Sequence, residues 1–130
     1  MTVLVGFVPN ALGEAALTAS VAEARRRGER LLVVNMSRDD VLVDARRAGH
    51  EQLDRVRRDL DELDLEFEVR QIAEGGDAAE VLLEVSEQEQ ASVIVIGLRH
   101  RTPVGKLLLG SAAQRILLDA NCPVLAVKAG

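Results

Sequence analysis

Short apolar runs and longer stretches of helical period alternate along the whole chain. Thr2-Val-Leu-Val-Gly-Phe-Val8 is a continuous apolar run, the pattern of a strand buried on both faces. Pro9-Asn10 punctuates it, and Asn10 is placed to cap a helix over the Ala-rich stretch from Ala11 to Arg27. Leu12, Ala16 and Ala19, and then Leu17, Val21 and Ala24, fall at helical spacing. Arg25-Arg-Arg27 suits a helix C-terminus, and Gly28 stops it. Arg30-Leu-Leu-Val-Val-Asn35 reads as a second buried strand. From Asp39 to about Leu63 the period is helical, with Leu53, Val56, Leu60 and Leu63 on one face and a charged face opposite.

Leu65-Glu-Phe-Glu-Val-Arg70 alternates apolar and charged positions, which predicts a strand with one wet face at a sheet edge. Gly75-Gly76 marks a turn, and Asp77 with Glu80 opens a helix through about Gln90 in the manner of a capping box. Val93–Ile96 predicts a fourth strand, Ser111 to about Asn121 a fourth helix with Ala112, Ile116 and Leu117 in the core, and Cys122–Val127 a fifth strand opened by Pro123. The order is βαβαβαβαβ. It predicts an α/β fold over residues 1–130: a five-stranded parallel sheet, doubly wound, with helices on both faces.

Composition narrows the function classes. Aromatic residues make up 2% of the chain, so its core is aliphatic and it lacks the stacking platforms that single-stranded nucleic acid needs. A net charge of −5 argues against a polyanionic partner, and no nucleic-acid role is expected. No apolar run reaches the ~20 residues of a membrane helix, so no membrane role is expected either. The single cysteine, Cys122, cannot form an internal disulfide and reads as a small buried hydrophobe. A cytoplasmic protein is expected.

The candidate chemistry lies in one connection, Gly97-Leu-Arg-His-Arg-Thr-Pro-Val-Gly-Lys-Leu-Leu-Leu-Gly110-Ser111. It is far longer than the ~2–6 residues usual between strand and helix. Gly-Ser at a helix start offers free N–H groups and the positive end of a helix dipole to an anion. In a doubly wound sheet, ligands bind beyond the carboxyl ends of the strands where the winding reverses. If the first and fourth strands are neighbours, Val8-Pro-Asn10 and Gly97-Leu-Arg-His100 flank that point. Gly105-Lys106 is not a Walker motif: seven residues separate Gly97 from Gly105, and Leu107 follows the lysine. No G-x-G-x-x-G follows the first strand. His50 and His100 stand without partners at metal-ligand spacing. Ser111 lacks the G-x-S-x-G elbow of a nucleophile and suits helix capping or a phosphate hydrogen bond instead. No catalytic or metal-binding residue is assigned.

Gly97-x-x-His100, nine residues, then Gly110-Ser111 resembles the universal stress protein family. Nucleotide-binding members of that family carry G-x-x-G, nine residues, then G-S or G-T. The likeness runs through Val3-Leu-Val-Gly-Phe, Val93-Ile-Val-Ile-Gly97, Leu107-Leu-Leu-Gly-Ser111 and Cys122-Pro-Val-Leu-Ala-Val127. It implies an adenine nucleotide alpha hydrolase-like sheet with strand order 3-2-1-4-5, bound ATP in many members, and a homodimer through the last strand, here Val124–Val127. Gly97 matches the glycine beside the ribose and phosphates, Gly110 and Ser111 the phosphate cradle, and Val34 the strand that lines the adenine pocket. Two positions depart from the pattern. His100 replaces the second glycine, and Val8 stands where nucleotide binders carry an acid, a polar or Mg2+-linked contact. Arg99, Arg101 and Lys106 read equally as phosphate ligands or as solvent-facing loop charges.

Two functions follow as expectations. The first is a regulatory domain that binds ATP or another adenine nucleotide at the carboxyl ends of the first and fourth strands, without catalysis. The alternative is a nucleotide-free dimeric stress protein acting through protein–protein contacts, motivated by Val8 and His100. Slow ATP hydrolysis ranks behind both, because no general base is evident.

Overall fold

The computed structural model describes residues 1–36, 43–71, 77–98 and 110–128, with backbone only for 43–50. The elements run β1 (Thr2–Phe7), α1 (Ala11–Arg27), β2 (Arg30–Asn35), α2 (Val43–Asp61), β3 (Phe67–Gln71), α3 (Ala78–Gln88), β4 (Ala91–Leu98), α4 (Ser111–Asp119) and β5 (Val124–Lys128). All strands are parallel, in the order β3-β2-β1-β4-β5. This is the doubly wound sheet that the alternation predicts, in the order that the family resemblance implies. The proposed turn at Gly75-Gly76 and the start of the second helix at Asp39 lie outside the described residues.

The centre of the sheet is β1. Val5 pairs with Val33 of β2 on one side and Val95 of β4 on the other. Alternate residues of these strands face opposite ways, so one sheet feeds two cores. Val3, Val5, Phe7, Leu31, Val33, Val93 and Val95 pack under α1 and α2 through Ala16, Leu17, Leu53, Val56 and Leu60. Leu4, Leu32, Val34, Ile94, Ile96 and Leu98 pack under α3 and α4 through Ala79, Leu82, Val85 and Ile116. The winding therefore reverses between β1 and β4. The side chains are aliphatic apart from Phe7 and the half-buried Phe67.

Several boundaries differ from the sequence expectation, each for a local reason. Val8 lies just outside β1, where its carbonyl accepts the Asn10 N–H at 2.8 Å. Asn10 does cap α1: its Oδ1 accepts from the N–H groups of Leu12 at 3.0 Å and Gly13 at 3.2 Å. Gly28 closes α1 in the left-handed conformation, at φ 64°. The chain leaves α2 at Asp61, and Leu63 packs half-buried against the first core from the following turn. Asp77 caps α3 by accepting the Glu80 N–H at 3.1 Å. That helix stops at Gln88 rather than Gln90, because Gln90 turns the chain with a φ of 52°. Gly97 does not end β4; Gly97 and Leu98 continue it and pair with Val127 and Lys128 of β5. Leu117 is 39% exposed rather than buried, so Ile116 with the partly buried Ala112 anchors α4. Cys122 precedes β5 and packs half-buried on the second core, where burial pushes its thiol pKa up.

The wet face expected of β3 is only half wet. Glu68 and Arg70 are partly buried in a charge network at the outer sheet edge. Arg70 donates to Glu68 at 2.7 Å and to Glu89 at 3.1 Å, while Arg30 reaches Glu89 at 2.5 Å and the Thr2 hydroxyl at 3.0 Å. This network ties β1, β2 and β3 to the end of α3. Hydrogen bonding from Arg70, with attraction from Arg30, holds the Glu89 carboxyl below its usual range against partial burial, which opposes it. Among the described residues, no buried side-chain polar atom lacks a partner. A carboxyl with a lowered folded pKa stabilises fully above its unfolded pKa of about 4.3, and the effect fades as pH falls through the folded value. Acid unfolding followed by circular dichroism should therefore be steeper below about pH 4.3 for the native chain than for Glu89→Gln.

Candidate functional site

An apolar cavity of about 170 Å³ lies at the carboxyl end of the sheet, where the winding reverses. Val8 borders it from the end of β1, Met36 from the end of β2, and Ile96, Gly97 and Leu98 from β4. Leu12 and Gly13 contribute from the first turn of α1, and Gly110, Ala112, Ala113 and Ile116 from the start of α4. The volume compares with an engineered apolar cavity of ~150 Å³ that admits a benzene ring. It suits one planar ring system with the rest of a ligand outside.

Two glycines create this geometry. A Cβ on Gly13 would run into the backbone of Val8, and a Cβ on Gly97 would run into the carbonyl of Leu12. Bare backbone at both positions lets the first turn of α1 lie directly on the ends of β1 and β4. Gly110 is different. Its φ is −63°, open to any residue, and nothing among the described residues comes within 4 Å of a Cβ built there. Packing against those residues gives no reason for a glycine at 110.

Two helix N-termini meet at the cavity, and they differ in one respect. The first-turn donors of α1 are occupied by Asn10. The N-cap of α4 is Gly110, which has no side chain to cap the helix. Ser111 is thus the first helical residue and not the cap expected from sequence. The N–H groups of Ser111, Ala112 and Ala113 precede the first intrahelical bond, which runs from the Gln114 N–H to the Gly110 carbonyl at 3.0 Å. Gly110, Ala112 and Ala113 border the cavity, so the positive end of the helix lies at its rim.

The structure brings Val8, Gly97 and Gly110 together around the cavity, with Ser111 beside Gly110. It places Val34 elsewhere. Val34 is 1% exposed in the second core, and Met36, one strand pitch further on, borders the cavity instead. Arg99, His100, Arg101 and Lys106 lie outside the described residues. Sequence reasoning missed Leu12, Gly13, Met36, Ile96 and Leu98. A glycine in the first turn of an otherwise Ala-rich helix was the one available signal, because it weakens a helix unless something touches it there. The described lining holds no carboxylate or imidazole, and no cluster of three metal-ligating side chains occurs among the described residues. As far as it is described, the donor set does not suit a protein-held Mg2+.

A five-stranded parallel sheet in the order β3-β2-β1-β4-β5, with an apolar cleft at its switch point, defines a doubly wound α/β protein. Within that class, residues 1–128 match the universal stress protein family, and the chain belongs to it. It is 46% identical to a universal stress protein of Mycolicibacterium smegmatis over 97% of this chain and 96% of that one. A solved universal stress protein from Archaeoglobus fulgidus superposes with a TM-score of 0.81 at 27% identity, covering 98% of both chains. A structure from the same organism in complex with dAMP shares the fold, with a TM-score of 0.73 at 23% identity and 98% coverage of each chain.

The two kinds of glycine predict different outcomes. Gly97→Ala forces the α1 backbone to move and should cost about 1–3 kcal/mol of stability. Gly110→Ala meets no described atom and should cost at most ~1 kcal/mol as a poorer N-cap. Urea titration of both variants checks the contrast.

Proposed function

We propose that this chain is a regulatory domain that binds an adenine nucleotide, ATP or a relative, at the β1–β4 switch point without turning it over. The observation that carries the reading is the α4 N-terminus, which among the described residues has no side-chain cap, at the rim of an apolar cavity. The base enters between Val8, Met36 and Leu98, and the phosphates lie against the N–H groups of Gly110 and Ser111. Gly110, free of packing demands from the described residues, lets a phosphate approach the backbone closely. Gly97 serves through its backbone at the cavity edge, and Arg99, His100 or Lys106 would assist from the connecting segment. At the level of the fold, the dAMP complex from Archaeoglobus fulgidus supports the reading. The described lining offers no general base, so binding is favoured over hydrolysis.

The protein works, in this reading, as a cytoplasmic homodimer. The support for dimerisation is the free edge of β5, which pairs only with β4 among the described strands and carries a Leu125 that is 37% exposed. Unpaired strand edges find partners readily. Dimerisation through this edge is compatible with nucleotide binding and also serves the nucleotide-free alternative. No described helix is long and apolar enough to cross a membrane.

Thermal unfolding with ATP separates the readings. At one hundred times its dissociation constant, ATP should stabilise the protein by about 2.7 kcal/mol. Absence of any shift at millimolar ATP, with no nucleotide carried through purification, favours the protein-contact alternative. Ser111→Pro sharpens the test. Proline is well tolerated at the first helical position and removes one N–H together with the hydroxyl. Its stability without ligand should stay within about 0.5 kcal/mol of native while ATP affinity falls.

A further inference from the structure

We infer that Met36 is the displaceable wall of this cavity, and that its thioether turns off Gly6 to admit a two-ring base, an inference that rests on the nucleotide reading above. Gly6 sits inside the central strand, two residues on from Leu4, and shares the face that Leu4 turns to the second core. Glycine inside a strand marks a close approach. Here the approaching group is a side chain. A Cβ on Gly6 would collide with Met36 Sδ, and it would lie 3.3 Å from Leu82 Cδ2 and 3.7 Å from Met36 Cγ. The Met36 backbone is fixed beside β1, because its N–H donates to the Phe7 carbonyl at 2.7 Å. The Met36 side chain therefore lies back over β1 and fills the place of the side chain that position 6 lacks. Gly6 and Met36 both border the cavity, and Met36 is only half-buried.

The glycines around the cavity differ in what their neighbours can yield. Gly13 and Gly97 are met by the backbone of Val8 and Leu12, which cannot step aside without moving α1. Gly6 is met first by the far end of an unbranched, adaptable side chain. The cavity thus has rigid walls at α1 and an adaptable one at Met36. Volume decides what that wall has to do. An apolar cavity of ~150 Å³ holds the six ring atoms of benzene, so the nine ring atoms of a two-ring base need roughly 225 Å³ by proportion. The cavity offers about 170 Å³ while the thioether lies on Gly6. Swinging the Met36 sulfur and methyl away from Gly6 makes room for the second ring. The sulfur then lies against the ring, a favourable contact for a polarisable thioether.

The chain has two methionines, Met36 and the 78% exposed Met1, so NMR of protein labelled with carbon-13 at the methionine methyls reads Met36 directly. Saturating ATP should shift the Met36 methyl resonance and leave that of Met1 in place. In isothermal titration, Gly6→Ala, whose methyl group drives the thioether into the cavity, should bind ATP about tenfold more weakly, with circular dichroism confirming the fold. In a Met36→Ala background the same change should alter the affinity by no more than about twofold. An ATP complex in which the Met36 resonance stays put overturns the inference alone. So does a Gly6→Ala chain that binds like the native one, or that loses as much affinity in both backgrounds. The NMR measurement needs no variant and decides the matter even if Gly6→Ala fails to fold. If the native chain binds no ATP, the nucleotide reading falls, and indole serves as a bare two-ring probe. A shift of the Met36 methyl on adding indole upholds the displaceable wall, and no shift overturns it as well.

Discussion

The fold at its functional end depends on the contact between the first turn of α1 and the ends of β1 and β4. Backbone touches backbone there, over Gly13 and Gly97, with no side chain between. A Cβ at either position would lift the helix off the sheet. The cavity borders on that first turn, on Val8 beneath it and on Gly97 beside it, so its shape follows from how closely the helix sits. Neither glycine has a positive φ, so the requirement is for space and not for an unusual backbone conformation. In a protein whose core is almost wholly aliphatic, contacts of this kind place elements that bulky aromatic anchors would otherwise hold.

The two ends of the sheet have separate tasks. Near the outer edge, Arg30, Arg70, Glu68 and Glu89 lock β2, β3 and the end of α3 with ion pairs shared among several partners. Such charges satisfy one another and leave little to attract a ligand. The carboxyl end beside β1 is apolar instead, and its polarity comes from backbone. Asn10 caps α1 with its side chain, whereas α4 begins at a glycine, which has no side chain to cap it. On the proposed reading, that asymmetry would favour an anion at α4 over α1, because a capped N-terminus has already satisfied the groups an anion would use.

Much of the fold was legible in the chain because buried parallel strands and amphipathic helices have distinct periods. Val3, Leu4 and Val5 announce a strand that is buried on both faces, and Leu53, Val56 and Leu60 announce a helix with one face down. Errors gathered at element ends. Gly97 reads as a stop, yet the β4 backbone continues to Leu98 because β5 supplies hydrogen-bond partners that local sequence does not reveal. Leu117 has the hydropathy of a core residue, but one helix turn cannot point Ile116 and its neighbour the same way. The site was half legible. Gly110 and Ser111 carry a recognisable spacing, whereas Met36 and Leu12 look like ordinary apolar residues until three-dimensional packing brings them to one cavity.

By itself the sequence determined the alternation of strands and helices, the capping of α1 by Asn10 and of α3 by Asp77, and the membership of the family, since each depends on residues close together or in fixed order. Only the tertiary structure decided which residues form the cavity, that Met36 and not Val34 borders it, and that Gly97 is required by its neighbours while Gly110 is not required by any described one. The physical reason is distance along the chain. Val8, Met36, Gly97 and Gly110 come from the ends of β1, β2 and β4 and the start of α4, far apart along the chain, and no local periodicity encodes which of their faces meet.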